Sequence, residues 1–250
     1  MTTTVAVAGA RGKLGRLITA IIEGSDDFDL VATLGSSSDL SELDGVDLVV
    51  DVTTPAVSPS IVEGAVENGS NVLVGTSGWS SARLAELGRR LDGTSRGVVV
   101  IPNFSLGSVV ATSLAAAASR FFNSIEILEA HRSSKVDSPS GTAVRTAELM
   151  ATARRDAGPV EAPHVDQRAR GQQVASIPVH SMRLRGVVAK QDVVFGGEGE
   201  TLTISHETIE PAAAYDTGIR LALPAARDAR GLLVGLESLI DLGITLPSRP

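Results

Sequence analysis

The sequence contains no cysteine and few aromatic residues. Without cysteine the chain cannot form disulfides, use a thiolate nucleophile, or bind zinc or an iron–sulfur cluster through sulfur. Redox chemistry would therefore need a bound cofactor. Five Phe, one Trp and one Tyr leave a core built from Val, Leu, Ala and Ile.

Positive charge is also in deficit. The chain has 22 Lys and Arg residues and 29 Asp and Glu residues, so its formal net charge is −7. Because nucleic acids and anionic membranes attract basic surfaces, neither is expected as a partner. The sequence lacks both a signal peptide and an apolar run of about 18 residues, so we expect a cytoplasmic protein without a membrane segment.

The first hundred residues alternate Val- and Leu-rich runs with amphipathic helical patterns. The runs lack polar alternation, which is typical of strands buried on both faces of a sheet. Between them, apolar residues recur at spacings of three and four, as in helices that cover a sheet. This alternation predicts a doubly wound parallel sheet. The predicted strands are 5–8, 30–34, 47–52, 71–74 and 98–101.

The pattern changes after Pro102. Consecutive strand-like runs with short connections predict a second, α+β domain with an antiparallel or mixed sheet. A helix near the C-terminus is expected to return to the first domain, so we predict domains of 1–102 with 212–250 and of 103–211. The predicted elements are helices over 108–121, from about Pro139 and over 213–229, strands over 125–130, 177–184, 187–195 and 201–206, and a surface loop over 156–175.

A glycine-rich loop follows the first predicted strand directly. Gly9, Gly12 and Gly15 are three residues apart and precede an amphipathic helix. A dinucleotide site needs such glycines for a tight turn, for close approach to the pyrophosphate and for packing of helix on strand. The loop therefore predicts a dinucleotide site, although a tight turn alone would also use glycines. Arg11 and Lys13 add two cations, either as phosphate ligands or as ordinary surface charges.

The second predicted strand ends without the carboxylate that NAD sites use to bind ribose hydroxyls. Gly35 and the serines from Ser36 to Ser38 follow this strand, and the first acid is Asp39. A missing carboxylate removes repulsion against a 2′-phosphate, and the serines can donate hydrogen bonds to it. We therefore expect NADPH to be accepted at least as well as NADH. If the segment is only a turn, the selectivity stays open.

A second cluster of chemically active residues lies within 129–143. His131 ends a predicted strand, and Pro139 is predicted in the first turn of the next helix, whose free N–H groups favour anions. Residues 140–142 can then hold a substrate carboxylate while His131 and Lys135 transfer protons. Taken alone, the histidine is also compatible with a structural role and the lysine with a solvated charge.

Together these segments resemble the 4-hydroxy-tetrahydrodipicolinate reductase (dihydrodipicolinate reductase) family of the diaminopimelate–lysine pathway. The most specific motif is His-x3-Lys-x-Asp-x-Pro-Ser-Gly-Thr, which begins at His131. The matching segments occur in the family's order and span nearly the whole chain. They are 7–15, 51–55, 74–79, 101–107, 129–143 and 195–202.

The resemblance implies an enzyme that reduces 4-hydroxy-tetrahydrodipicolinate (dihydrodipicolinate) to tetrahydrodipicolinate with NADPH or NADH. It implies a Rossmann-like domain for the cofactor and a smaller α+β domain with a mixed sheet. The smaller domain would bind the dicarboxylate substrate and build a homotetramer.

The resemblance also implies roles for single residues. His131 matches the family's proton-transfer histidine, and Lys135 matches its catalytic acid. The implied substrate-binding residues are Arg132, Ser140, Gly141 and Thr142. By the resemblance, Gly9, Gly12 and Gly15 line the pyrophosphate, Gly75, Thr76 and Gly78 lie near the nicotinamide ribose, and the turn 102–104 reaches the nicotinamide side. With the residues argued from the loops themselves, the predicted cofactor-binding residues are Gly9, Arg11, Gly12, Lys13, Leu14, Gly15, Gly35, Ser36, Thr53, Gly75, Thr76, Gly78, Pro102, Asn103 and Phe104.

Two positions depart from the family pattern. Arg132 replaces a second histidine that binds substrate. Its guanidinium can bind a carboxylate through two hydrogen bonds, so substrate binding can persist, but an altered substrate stays open. Gly35 replaces an acidic residue that binds ribose, which leaves a preference for NADH in doubt.

Two alternative functions remain open at this point. A related dehydrogenase, for example one acting on aspartate, would share the nucleotide domain but lack Lys135 and the helix start at 139–142. A non-catalytic dinucleotide sensor would need neither His131 nor Lys135.

A metal site is not expected. The remaining histidines, His164, His180 and His206, are scattered along the chain. They lack acidic residues at the spacing of metal ligands, so we expect structural or surface roles for them.

Overall fold

The structure, a computed structural model, describes residues 2–35, 38 and 40–242. The chain divides into two compact units, of which the first comprises Met1–Phe104 and Tyr215–Pro250 and the second Ser105–Ala214. These divisions differ by two or three residues from the boundaries that the sequence predicts. The roles predicted for the two domains stay predictions.

The first unit is built on a sheet of six parallel strands in the order β11-β5-β4-β3-β1-β2. This arrangement confirms the predicted doubly wound parallel sheet. The strands are β1 (Thr3–Ala8), β2 (Phe28–Leu34), β3 (Leu48–Asp51), β4 (Asn71–Val74), β5 (Gly97–Val100) and β11 (Gly231–Val234). The helices are α1 (Lys13–Glu23), α2 (Ser58–Glu67), α3 (Ser81–Leu91) and most of α6 (Pro211–Asp228).

The core of this unit lies around the central strands. Residues 5–8, 48–50, 72–74 and 98–101 are almost completely buried. Strands covered by helices on both faces need apolar residues at every position, which explains their Val- and Leu-rich sequences. Asn71 links the sheet to α6, because its amide donates to the carbonyls of Ala226, Arg227 and Ala229 at 2.7 to 3.2 Å.

One expectation for this unit is wrong, and one strand was not predicted. The run 30–34 was expected to be buried on both faces, but β2 is an edge strand in which buried or half-buried residues alternate with exposed ones, and Val31 is 49% exposed. Edge strands extend beyond the helical cover that central strands receive on both faces. Strand β11, which follows the helix near the C-terminus, was not among the predicted strands.

The second unit contains a mixed five-stranded sheet in the order β10-β9-β6-β8-β7, in which only the pairing of β6 with β8 is parallel among the described residues. The predicted mixed sheet is thus confirmed. The strands are β6 (Ser124–Arg132), β7 (Gln172–Val174), β8 (Ile177–Leu184), β9 (Ala189–Gly197) and β10 (Glu200–Thr208). The helices are α4 (Leu106–Ala118), which a 3₁₀ turn Ser119–Phe121 extends, and α5 (Gly141–Ala153).

Side-chain alternation gives the second sheet two different faces. Ile125 and Ile127 of β6 pack with Ala143, Ala147 and Met150 of α5 in an apolar core. The residues between them point to the opposite face, where Leu128, Met182 and Leu184 are 37 to 47% exposed.

Two local expectations for this unit are also wrong. The three-residue strand β7 lies inside the segment 156–175 that was expected to be a loop. Pro139 does not lie in the first turn of α5, because Ser140 is the N-cap and the helix begins at Gly141. The Ser140 hydroxyl accepts a hydrogen bond from the Ala143 amide at 3.2 Å, which determines where the helix starts.

No helix in the described ranges is long and apolar enough to cross a membrane. The cytoplasmic location stays a prediction.

Candidate active site

The strand order of the first sheet creates a crevice between β1 and β3. The chain continues from β1 to β2 on one side and from β3 to β4 on the other. In open parallel sheets, ligands bind outside the carboxyl ends of the strands at such a reversal of direction. The glycine-rich loop follows β1, Thr53 follows β3, and the segment 75–78 follows β4. The fold therefore places these predicted cofactor residues at one edge of the sheet.

The glycine-rich loop has no room for side chains at two of its glycines. Gly9 has a φ of +88°, and a Cβ atom there would lie 2.4 Å from the Val52 carbonyl oxygen. A Cβ atom on Gly15 would lie 2.2 Å from the Gly9 carbonyl oxygen. Gly12 is the N-cap of α1, so it leaves the first N–H groups of this helix open to an anion. These features fit a dinucleotide pyrophosphate.

A buried carboxylate organises the loops after β3 and β4. Asp51 is fully buried and accepts hydrogen bonds from the Thr53 amide at 3.1 Å and the Thr53 hydroxyl at 2.5 Å. The Ser58 hydroxyl also donates to Asp51. The Thr53 amide also donates to the Thr76 hydroxyl at 2.8 Å, so the two predicted cofactor residues are joined. Asp51, which holds this network, was not among the predicted site residues.

The other predicted residues near the nicotinamide differ in accessibility. Pro102 is exposed and Asn103 is half-buried, but Phe104 is only 3% exposed. The Phe104 ring packs against Gly75, where a Cβ atom would lie 2.8 Å from the ring. A contact from Phe104 to a cofactor would therefore involve its backbone. Gly78 has a φ of +90° and lies against Pro55.

The end of β2 lies beside the glycine-rich loop. The Gly9 amide donates to the Leu34 carbonyl at 3.0 Å. A Cβ atom on Gly35 would lie 4.0 Å from the Arg11 guanidinium carbon, and the backbone at Gly35 is outside the left-handed region. The Gly35 amide donates to the Ser38 hydroxyl at 3.2 Å, which leaves the hydroxyl proton free to donate. An exposed cation and a hydroxyl therefore lie where NAD sites have a carboxylate.

The other predicted cofactor residues of the glycine-rich loop and of the segment after β2 differ in exposure or lie outside the described residues. Lys13 is exposed and Leu14 is half-buried at the start of α1. Ser36, Ser37 and Asp39 lie outside the described residues.

In the second unit, His131 is held by a carboxylate on the same strand. Glu129 and His131 are two residues apart, so both point to the face of β6 that packs against α5. The His131 Nδ1 atom lies 2.6 Å from Oε2 of Glu129. Arg183 of β8, the register partner of His131, donates to both oxygens of Glu129 at 2.9 Å. The Ser140 amide also donates to this carboxylate, at 3.1 Å.

These contacts determine the charges in the cluster. Burial raises the pKa of Glu129, but hydrogen bonds from Arg183, Ser181 and His131 outweigh it and bring that pKa below its ordinary value. Burial lowers the pKa of His131, and the charges of Lys135 and Arg183 lower it further, so that pKa lies below its ordinary value although Glu129 raises it. Glu129 is therefore an anion at neutral pH, and His131 is mainly a neutral imidazole.

Lys135 lies in the connection between β6 and α5. Its amide donates to the Arg132 carbonyl at 3.0 Å, and its ammonium lies 2.8 Å from Oδ1 of Asp137. The Lys135 charge is one of the groups that lower the pKa of His131, so the two predicted proton-transfer residues interact electrostatically. Gly141 is exposed and Thr142 half-buried at the start of α5.

Arg132 is placed differently from the other predicted substrate residues. It is the last residue of β6, and side-chain alternation directs it to the face opposite His131, beside its register partner Leu184. Arg132 is exposed at this strand end. Its role as a carboxylate ligand stays a prediction.

Sequence reasoning missed the residues that support His131. Glu129 could have been identified, because a carboxylate two residues before a histidine on a strand points to the same face. Arg183 has no comparable signal, since it is 54 residues from Glu129 and approaches it only through the pairing of β6 with β8. In the described part of the chain, no three acidic and histidine residues are grouped as a metal site would require.

Comparison with known proteins matches both units to one family. Residues 3–104 match the family model "Dihydrodipicolinate reductase, N-terminus", and residues 107–240 match "Dihydrodipicolinate reductase, C-terminus". The chain belongs to the dihydrodipicolinate reductase family. The resemblance stated from the sequence motifs is thereby confirmed, and so is the oxidoreductase class.

Individual relatives support this assignment to the dihydrodipicolinate reductase family. The chain is 66% identical over 243 residues to the 4-hydroxy-tetrahydrodipicolinate reductase of Clavibacter sepedonicus. The aligned region covers 97% of this chain and 87% of that protein. It is 43% identical over 245 residues to the enzyme of the same name from Streptomyces griseus, with 95% and 98% covered.

A solved structure of the same family has a similar fold. It is the dipicolinate-bound dihydrodipicolinate reductase from Paenisporosarcina sp. TG-14, with a TM-score of 0.79 and 28% identity. The similarity covers 96% of this chain and all of that one.

Proposed function

We propose that this chain reduces 4-hydroxy-tetrahydrodipicolinate to tetrahydrodipicolinate with a reduced nicotinamide dinucleotide, as a step of lysine biosynthesis. The observation that carries the proposal is that Glu129 holds His131 by a hydrogen bond, close in sequence to Lys135 and the start of α5. Both units of the chain also match the reductase family. The dehydrogenase and sensor alternatives are disfavoured, because the 66% identical relative is named for this reduction.

The glycine-rich loop and the loops after β3 and β4 are the proposed cofactor site. When bound there, reduced nicotinamide supplies a hydride for carbon 4 of the substrate ring. The open N–H groups at the start of α1 would bind the pyrophosphate, and the loops joined by Thr53 and Thr76 would border the nicotinamide ribose.

The second unit supplies the substrate and proton contacts. The amides of Gly141 and Thr142 at the start of α5 are proposed to bind one substrate carboxylate, with help from the Ser140 hydroxyl. Arg132 is proposed to bind the other. Lys135 donates a proton to the ring carbon next to carbon 4, and Nε2 of His131 takes part in this proton transfer. The ring thus gains a hydride and a proton, and the hydroxylated form also loses one water molecule.

The finer choice of cofactor follows from the position of Arg11. Its guanidinium lies beside Gly35, at the end of β2. A 2′-phosphate at this position would meet a cation instead of a carboxylate, so we propose that NADPH is used at least as well as NADH.

The dicarboxylate substrate also agrees with the relative from Paenisporosarcina, whose solved structure contains dipicolinate. We further propose a homotetramer built through the outer face of the second sheet. The exposed Leu128, Met182 and Leu184 on that face favour an interface between subunits. Sedimentation equilibrium should then give four times the chain mass of 25.8 kDa.

The deciding experiment follows the oxidation of NADPH while the preceding synthase supplies the substrate. We expect His131→Ala and Lys135→Ala each to lower kcat by about 10²-fold or more, as for a lost acid–base group, with little change in the Kd for NADPH.

Two variants serve as matched controls for this experiment. His164 is exposed and belongs to neither β6 nor the connection that carries Lys135, and Lys190 resembles Lys135 in pairing with an aspartate two residues later. His164→Ala and Lys190→Ala should keep nearly normal turnover. If wild-type protein oxidises NADPH without the synthase product, or if both site variants turn over normally, the proposal is wrong.

A further inference from the structure

Glu129 joins three parts of the second unit, which are β6, β8 and the connection between β6 and α5. Its side chain is completely buried, and its two oxygens accept from His131 of β6, Arg183 of β8 and the Ser140 amide before α5. Arg183 also donates to the Asp137 carbonyl at 2.5 Å, which ties the connection that carries Lys135 to the same cluster. A buried charge persists only when it is paired and hydrogen-bonded, and Glu129 meets both conditions.

The Glu129 contact determines which nitrogen of His131 carries the proton. An ionised carboxylate can only accept hydrogen bonds, so Nδ1 of His131 must be the donor across the 2.6 Å contact. In the neutral ring Nε2 then has its lone pair available. The same division of roles between a carboxylate, the donating nitrogen and the reacting nitrogen is known from catalytic triads.

We propose that Glu129, held by Arg183, is a positioning residue that keeps His131 in its Nδ1–H tautomer and directs Nε2 to the reacting ring. The inference rests on the proposed role of His131 in proton transfer. Glu129 does not touch the substrate in this proposal and acts only through His131 and the start of α5.

The electrostatic surroundings of His131 make the effect of Glu129 measurable. The charged groups that act on the imidazole are Glu129 on its own strand, Lys135 in the following connection and Arg183 on β8. Its partner on β9 is the uncharged Ala189. Glu129 is therefore the anion that favours protonated His131, while the two cations oppose protonation.

The same strand provides a matched control. Glu126 accepts a hydrogen bond from Nε2 of His180 at 2.7 Å and pairs with Arg170, so it also joins a histidine to an arginine. It points to the opposite face of β6 from Glu129. Removing its charge removes an equivalent ion pair without touching His131.

The test compares Glu129→Gln with Glu126→Gln. In Glu129→Gln the amide oxygen is needed by Arg183 and the Ser140 amide, so its NH₂ group faces His131 and forces Nδ1 to accept. We expect kcat to fall by about 10²-fold or more, because Nε2 of neutral His131 then carries the proton and has no free lone pair toward the reacting ring. The limb of the pH profile that belongs to His131 should shift to lower pH. KM and the Kd for NADPH should change by less than about threefold.

Glu126→Gln should keep kcat within about twofold and the wild-type pH profile. Its oligomeric mass is measured alongside. Glu129→Asp retains the charge and should recover part of the lost turnover. Turnover of Glu129→Gln with the wild-type kcat and pH profile, or equal losses in the two Gln variants, would overturn the proposal.

A second measurement does not depend on turnover. Nitrogen NMR of histidine-labelled protein reports which ring nitrogen of His131 is protonated, with the His131→Ala spectrum providing the assignment. We expect Nδ1–H in the wild type and Nε2–H in Glu129→Gln. An Nε2–H tautomer in the wild type contradicts the proposal even if Glu129→Gln fails to fold. If instead the wild type has no reductase activity, the proposed function is wrong. The measured tautomer of His131 still shows whether Glu129 determines which nitrogen is protonated.

Discussion

At the scale of single residues, neighbours in sequence have different surroundings. His131 points toward α5 and contacts Glu129, whereas the next residue, Arg132, is exposed on the opposite face of β6. A side chain at the last position of a strand can still reach around the strand end. The proposed contact of Arg132 with a substrate carboxylate therefore needs a direct test.

Arg132→Ala should raise KM for the substrate by one to two orders of magnitude, with a smaller effect on kcat. This change corresponds to about 1.5 to 3 kcal/mol, as for a hydrogen bond that involves a charged group. The measurement is steady-state kinetics with varied substrate, and Arg185→Ala, an exposed arginine in the turn after β8, is the control. An unchanged KM together with an altered oligomeric mass would place Arg132 in a subunit interface instead.

Gly35→Asp should shift the ratio of kcat/KM values toward NADH by about tenfold or more, on the order of 1 to 2 kcal/mol. The new carboxylate would repel a 2′-phosphate and pair with Arg11, whose guanidinium lies 4.0 Å from the position of the added Cβ atom. The backbone at this residue is outside the left-handed region, so the substitution needs no strained conformation.

Gly35→Asn adds the same bulk without the charge and is the matched control for cofactor choice. Melting temperatures of both variants should stay close to that of the wild type. A wild type at least tenfold selective for NADH, or a stable Gly35→Asp variant with an unaltered ratio, would show that selectivity is decided elsewhere.

At the scale of elements, the junction of α4 and α5 depends on one buried arginine. Arg154 is 2% exposed and caps the end of α5. Its guanidinium donates to the carbonyls of Ser119 and Phe122 at 3.2 and 3.1 Å, which lie in and after the 3₁₀ turn that extends α4. The last carbonyls of a helix need such donors, because they lack partners within the helix.

Arg154→Ala should lower the free energy of unfolding by about 2 to 4 kcal/mol, since two buried carbonyls lose a charged donor and a large side chain is removed. Urea unfolding followed by circular dichroism measures the change. The adjacent Arg155 is 80% exposed, so Arg155→Ala should stay within about 0.5 kcal/mol of the wild type. Equal midpoints for the two variants would contradict a structural role for Arg154.

At the scale of the whole molecule, stability should decrease when the pH falls. Burial lowers the pKa values of His131 and His206 below the ordinary 6.5, so the unfolded chain binds protons there that the folded chain does not. Stability is then lost as the pH falls below about 6.5. The lowered pKa values of Glu126, Glu129 and Asp137 add a further loss below their ordinary values of 4.5 and 3.8.

Melting temperatures between pH 8 and pH 4 test this sign. In His206→Gln the decrease between pH 7 and pH 5 should be smaller than in the wild type, because one half-buried titrating group with a lowered pKa is removed. His164 is exposed, so His164→Gln should follow the wild-type curve. A wild type that becomes more stable on acidification from pH 7 to pH 5 would contradict the prediction.

Local patterns were sufficient for much of this fold. The Val- and Leu-rich runs predicted β1, β3, β4 and β5 to within a few residues, because strands covered on both faces must be apolar throughout. The glycine spacing predicted the loop after β1, and the motif from His131 to Thr142 predicted the family. The strands β7 and β11 and the edge position of β2 were not predicted. The three residues of β7 carry little periodicity, and an edge position depends on which strands pair, which no single run of residues shows.

The sequence by itself determined the alternation of strands and helices, the positions of the glycines and the spacing of His131 and Lys135, because each of these is a property of neighbouring residues. Only the tertiary structure brought Arg183 to Glu129 across 54 residues and placed Arg11 beside Gly35. Both encounters depend on which strands pair and in which register. Strand pairing joins distant parts of the chain, so no local pattern could reveal how His131 is held or which charge lies beside Gly35.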